Sequence, residues 1–138
     1  NTLGKPDTGG QVIYILDQVR VLERHLTELF RSAGLNLEPK IIVLTRLLPE
    51  AGDTTCDERL EKIFNTENAW ILRVPFRDEK HNVKKEWVSR FDIWPYLERF
   101  AEDSVHELTS VFHGDPDLII GNYSDGILVS CILSDHFR

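Results

Sequence analysis

Apolar residues recur at helical spacing from Val12 to Leu29. Val12, Leu16, Val19, Leu22, Leu26 and Leu29 share one side of a helical wheel, and Asp17, Arg20, Glu23 and Arg24 fall mostly off it. The pattern predicts a long helix that opens at Gly9-Gly10, stops at Gly34 and takes Asp7 or Thr8 as its N-cap. Residues 1–8 read as a loop. Ile41–Leu44 is a short unbroken apolar run, the pattern of a strand buried on both faces of a parallel sheet. A polar loop holding Pro49 and Gly52 follows, then a short helix predicted at 57–65. Trp70–Val74 predicts a second strand, closed by Pro75. After a polar, irregular stretch over 76–90, Leu97, Ala101, Val105, Leu108 and Phe112 mark a helix that starts near Pro95 and ends at Gly114 and Pro116. Leu118–Ile120 predicts a third strand. Asn122–Gly126 then forms a turn capping a last helix over about 124–136.

Helical and strand patterns therefore alternate along the chain. That predicts an α/β domain over 1–138, a three-layer, doubly wound parallel sheet with strands near 40–45, 70–74 and 117–121. Such a domain ordinarily begins with a strand before its glycine-rich turn, and here only a loop precedes Gly9. The chain also stops on a helix. Both ends read as cut from a larger sheet, and such a piece is expected to dimerise or to be marginally stable through its open edges.

Composition narrows the function. With 138 residues, 41% hydrophobic and 28% charged, the chain has a globular balance. A net charge of −7 argues against a general nucleic-acid binder. No apolar run approaches the roughly 18 residues of a membrane helix. Two cysteines, Cys56 and Cys131, make neither a disulfide framework nor a metal site, and they suit a cytoplasmic setting. Cys131 reads as a core residue and Cys56 as a partly exposed loop thiol. The histidines lack metal-ligand spacing.

Gly9-Gly10-Gln11 at a helix start is the best chemical candidate. Glycine lets a ligand approach the backbone, and the first helical N–H groups lack internal partners, so a diphosphate fits there. The same two glycines suit a plain tight turn. The pattern is neither a G-x-G-x-x-G fingerprint nor a Walker loop. Asn122–Gly126 follows a predicted strand end, where open α/β sheets bind ligands, and also reads as a simple helix cap. From Arg73 to Arg90 six cations face three carboxylates inside an acidic chain. This segment could hold phosphate or sugar hydroxyls, or be a solvated loop. Arg90 stands out between Trp87, Phe91 and Trp94, which predicts a partly buried guanidinium.

Several blocks together resemble the sucrose synthase family. They are Pro6-Asp7-Thr8-Gly9-Gly10-Gln11-Val12 with Tyr14–Arg20, then Thr45-Arg46-Leu47-Leu48-Pro49 and Thr54-Thr55-Cys56. Ile71–Arg77, Ser89-Arg90-Phe91, Trp94–Glu98 and Pro116–Gly126 continue the match in order over essentially the whole chain. Lys5, Asp57, Ile127 and the 80–85 stretch depart from the pattern. The resemblance implies a retaining, metal-independent glycosyltransferase of the GT-B architecture. It would move glucose reversibly between sucrose and UDP or ADP, giving UDP-glucose and fructose, with no cofactor beyond that nucleotide. It places this chain in the N-terminal, acceptor-side Rossmann-like domain. By resemblance Gly9, Gly10 and Gln11 lie at the diphosphate and transferred sugar, and Arg90 and Asn122 line the fructose side. The histidine beside the transferred sugar and the nucleotide-binding domain would lie past Arg138, so the chain alone is expected to be inactive. The whole protein is expected to be a homo-oligomer, with no nucleic-acid partner and no membrane span. The residues themselves also admit a sucrose-phosphate synthase-like transferase, which shares the Asp-Thr-Gly-Gly-Gln block. A noncatalytic flavodoxin-like binding module, or a standalone regulator that binds a phosphorylated ligand, stays open beside it.

Overall fold

A computed structural model describes residues 9–138, and the surroundings of side chains from Val12 onward. The N-cap expected at Asp7 or Thr8 lies outside the described residues. The elements in chain order are α1 (Gly9–Ser32), β1 (Ile41–Leu47), β2 (Leu60–Lys62), β3 (Ala69–Pro75), α2 (Trp94–Phe112) and α3 (Tyr123–His136). The strands form one mixed sheet in the order β1-β3-β2. The Ile41 N–H donates to the carbonyl of Asn68, the residue before β3, so β1 and β3 start side by side and run in the same direction. β2 pairs antiparallel to β3, with Glu61 opposite Ile71.

Two predicted elements are corrected. Residues 57–65, expected to be helical, carry β2 instead. Asn65 sits in the left-handed region at φ 61, and the Ile63 N–H donates to the Ala69 carbonyl. This closes a hairpin, so pairing with β3 overrides the helical propensity of the Glu, Leu and Lys residues. The segment 117–121, expected to be the third strand, is irregular. A strand exists through its ladder. Among the described residues none pairs with 117–121, and Leu118 and Ile120 are exposed.

The chain divides into two compact units. The first joins residues up to Thr45 with Ala51–Arg73. Its core is Val19, Ile63 and Ala69, with Ile15, Leu16, Ile41, Val43 and Ile71 packed against them. β1 is half-buried along most of its length rather than buried on both faces. Leu29, expected on the buried side of α1, is exposed, whereas Glu23 is buried. The Glu23 carboxylate accepts the backbone N–H of Glu67 at 3.0 Å and of Asn68 at 2.7 Å. The Arg20 Nε donates to the Phe64 carbonyl at 3.0 Å. Two turns of α1 thereby hold the β2–β3 connection. Arg73 is buried, paired with Glu61 at 2.7 Å and donating to the Glu58 carbonyl at 3.0 Å.

The second unit joins Arg46–Glu50 with Val74–Arg138. Phe76 stacks on Tyr96 at 5.6 Å and packs perpendicular to Phe100 at 5.4 Å. Leu97, Ala101, Ser104 and Leu108 of α2 and Val129 and Leu133 of α3 are buried, and the two helices pack together. α2 begins at Trp94-Pro95 and ends at His113 in a left-handed cap whose N–H donates to the Thr109 carbonyl. Cys131 is exposed rather than in the core, and Cys56 is half-buried. Polar and apolar residues are interspersed around α3, so its sequence does not mark the buried face.

Candidate functional site

Gly9, Gly10 and Gln11 form the opening of α1, a helix of 24 residues. No acidic residue stands in its first turn. The orphan N–H groups of that end therefore meet no carboxylate of their own turn, and the dipole favours an anion there. The side-chain surroundings of these three residues lie outside the described residues.

Arg90 and Asn122 belong to the second unit. Arg90 lies in the Ser89–Asp92 turn, where the Asp92 N–H donates to the Ser89 carbonyl at 2.8 Å and the Phe91 N–H reaches Ser89 Oγ. Its guanidinium sits 4.9 Å over the Phe91 ring. The expected partial burial is corrected: Arg90, Trp87, Phe91 and Trp94 are all exposed. Of the three aromatics, Phe91 lies beside the guanidinium and leaves it exposed.

Asn122 is the N-cap residue of α3, with extended backbone at φ −104 and ψ 131. Its side chain makes no capping hydrogen bond. The amide is thus left for another partner. Tyr123 follows at φ 63, a region a bulky residue occupies only where its surroundings hold it. Gly121 explains that hold. A Cβ there would stand 2.6 Å from Ser130 Oγ, 2.8 Å from the Gly126 carbonyl oxygen and 2.9 Å from Ile127 Cα. Two of those atoms are backbone and cannot yield cheaply. At Gly126 a Cβ would meet nothing nearer than 3.7 Å. Gly121→Ala is therefore expected to destabilise the protein by about 1–3 kcal/mol through overpacking, while Gly126→Ala, inside the helix, is expected to be neutral or stabilising. Thermal melting of the two variants checks this; equal melting temperatures would refute it.

The basic segment is more ordered than the sequence suggests. Asp78 Oδ1 accepts the N–H groups of Lys80 and Asn82, both at 2.9 Å, and these hydrogen bonds, led by Asn82, hold its carboxyl below the usual range. Arg77 and Val83 bridge across this turn. Three of its six cations are paired with carboxylates. Arg73 pairs with Glu61, Arg77 lies 3.8 Å from Asp103, and Lys84 meets Glu86 at 3.1 Å. That contact raises the Lys84 pKa, and hydrogen bonding, first to its own backbone and then to Lys84, lowers that of Glu86. The surplus of cations over 73–90 is thus not one anion cradle.

One residue that the charge pattern missed organises this segment. Arg46, near the end of β1, donates from one terminal nitrogen to the carbonyls of Lys84 at 2.8 Å and Glu86 at 2.7 Å. Its guanidinium lies 4.6 Å over Phe76, just past the end of β3. Burial lowers its pKa, with Tyr96 and Glu86 acting in the opposite sense. β1 and β3 run in the same direction, so Arg46 stands at their carboxyl ends, the ligand-binding end of open α/β sheets. A single arginine outside the basic run gave no signal in charge counting. Among the described residues no three His, Cys, Asp or Glu side chains are grouped to hold a metal ion. No described helix is long and apolar enough to cross a membrane.

A family model described as the sucrose synthase first GT-B domain matches residues 1–138. The chain is 62% identical over 136 residues to a sucrose synthase of Melioribacter roseus. It is 57% identical over 134 residues to sucrose synthase 1 of Oryza sativa subsp. japonica, and 57% identical over 134 residues to a sucrose synthase of Nitrosomonas europaea. These alignments cover 99%, 97% and 97% of the chain but 17%, 16% and 17% of the relatives. The chain spans about one sixth of the length of the curated relatives it matches.

Proposed function

The chain belongs to the sucrose synthase family, within its first GT-B domain, and from this we propose that it is the acceptor-side, doubly wound Rossmann-like part of a glucosyltransferase acting between sucrose and a nucleoside diphosphate. The reaction is sucrose plus UDP, or ADP, giving the nucleotide-glucose and fructose, with retention at the sugar carbon and no metal. The observation that carries the reading is the match over all 138 residues, with Gly9-Gly10-Gln11 at the start of a long helix. The α1 N–H groups stabilise the charge that shifts on the diphosphate during transfer. In the synthetic direction the departing phosphate oxygen takes the acceptor's proton. No glycosidase-like carboxylate pair is needed. Arg90, exposed in its turn, donates to hydroxyls on the fructose side, and the unspent Asn122 amide does the same. A second domain of the whole protein supplies the nucleotide site. The whole protein works as a cytoplasmic homo-oligomer, without nucleic acid.

The test is UDP-dependent release of fructose from sucrose by the intact protein, with the 138-residue chain alone as an inactive control. Arg90→Ala in the intact protein is expected to raise KM for sucrose and fructose by about tenfold or more, the loss of one charge-assisted hydrogen bond. UDP affinity stays within about twofold, since Arg90 does not touch the nucleotide. An Arg90→Ala protein that loses UDP binding but keeps its fructose kinetics would sink the assignment.

A further inference from the structure

We propose that Arg46 is a positioning residue for the acceptor side of this site, acting by clamping the 84–86 segment from which the Arg90 turn is hung. The inference rests on the transferase reading above and adds a residue to it. Its basis is a set of contacts within the second unit. One terminal nitrogen of Arg46 spends both its N–H groups on the Lys84 and Glu86 carbonyls, at 2.8 and 2.7 Å. Those carbonyls lie six and four residues before Arg90. The guanidinium carbon lies over the Phe76 ring, 4.6 Å from its centroid. Phe76 in turn stacks on Tyr96 and stands perpendicular to Phe100. Tyr96 and Phe100 belong to α2, which begins just after the Arg90 turn. The turn is thus fixed from both sides by one stack: upstream through Arg46, downstream through α2.

The orphan donor argues that the clamp serves more than stability. Arg46 Nε is buried and has no hydrogen-bond partner. Buried donors are nearly always satisfied, and an exception calls for an explanation. An apolar side chain on Phe76 would avoid that loss. It could not grip two carbonyls in one fixed plane. A planar fork does what a lysine ammonium cannot, because lysine lacks both the stacking face and the preset donor directions. Arg90 itself is exposed and has little packing of its own, so its placement depends on the backbone that carries it.

The test uses the intact protein with Arg46→Lys, Arg46→Gln and each combined with Arg90→Ala. Sucrose and fructose KM, kcat, UDP affinity, melting temperature and hydrogen exchange over residues 84–91 are measured. Arg46→Lys is expected to raise both sugar KM values about tenfold, with UDP affinity within about twofold. Exchange should quicken over 84–91 and stay level in α2. In the Arg90→Ala background, Arg46→Lys should add nothing further to KM, because the two act as one unit. Full additivity, unchanged sugar KM, or a matching loss of UDP affinity would overturn the proposal. So would loss of the fold in both Arg46 variants, which makes the residue a stability element only. If the unsubstituted protein releases no fructose from sucrose and UDP, the transferase reading fails and this inference falls with it. If the unsubstituted protein is active and the variants behave like it, the inference alone fails.

Discussion

Gly10→Ala in the intact protein is expected to lower sucrose cleavage by about a hundred- to a thousand-fold, the loss of about 2.7–4 kcal/mol of transition-state stabilisation. The melting temperature should stay level or rise. The two effects have opposite signs for a physical reason. Gly10 lies in the first turn of α1, and alanine is a better helix former than glycine by about 1 kcal/mol. A diphosphate held against the backbone has no room for a Cβ, and a shift of the phosphate by even a fraction of its hydrogen-bond length misaligns the N–H donors. Turnover, UDP affinity and melting are measured side by side. Near-normal turnover would remove the helix start from the active site. A fall in melting temperature that tracks the loss of turnover would reassign Gly10 to folding.

The second large effect concerns stability. Glu23→Ala is expected to destabilise the first unit by about 2–4 kcal/mol, because two hydrogen bonds to a charged acceptor disappear together. The Glu67 and Asn68 N–H groups, accepted by the carboxylate at 3.0 and 2.7 Å, lose their partner. Glu23 is buried on α1, so water does not replace it freely. Glu23→Gln should recover part of the loss, since one oxygen remains and the amide nitrogen opposes the other donor. Native-state hydrogen exchange reads the result: protection of 67–69 should drop in Glu23→Ala while α2 keeps its own. Unchanged protection would show that the helix does not hold the hairpin. Arg20, which donates to the Phe64 carbonyl at 3.0 Å, is the second hold on the same connection. The loss should therefore loosen the hairpin without detaching it.

Gly121 and Arg46 illustrate two ways in which a fold positions a polar side chain. At Gly121 the constraint is steric: α3 passes so close that a Cβ has no space, and the chain turns through Tyr123 at φ 63 with Asn122 left uncapped. At Arg46 the constraint is directional, a planar donor stacked on a fixed ring. Asn122 and Arg90, the residues these two are proposed to place, are expected on the fructose side by family resemblance.

The linear chain by itself determined the helices and the two longer strands. The Val12–Leu26 periodicity and Gly34 define α1, Pro95 and the Gly114–Pro116 stop define α2, and the apolar runs at 41–44 and 70–74 define β1 and β3. Those features are local: a period, a breaker, a missing N–H. The glycine pair at the start of α1 and the ordered family blocks were equally readable, because they are adjacent residues. What only the tertiary structure decided depends on partners far along the chain. Leu60–Lys62 became a strand because β3 offered a ladder, and 117–121 remained irregular without one. Glu23 looked like a surface residue until two backbone N–H groups, 44 and 45 positions later, gave its charge a buried partner. The cations of 73–90 read either as a phosphate or sugar site or as a solvated loop, and only the fold showed Glu61, Asp103 and Glu86 matching three of them. Arg46 stood in one of the family blocks without a role of its own; its contacts arise only where β1 ends beside Phe76 and the 84–86 carbonyls, and no periodicity encodes that meeting.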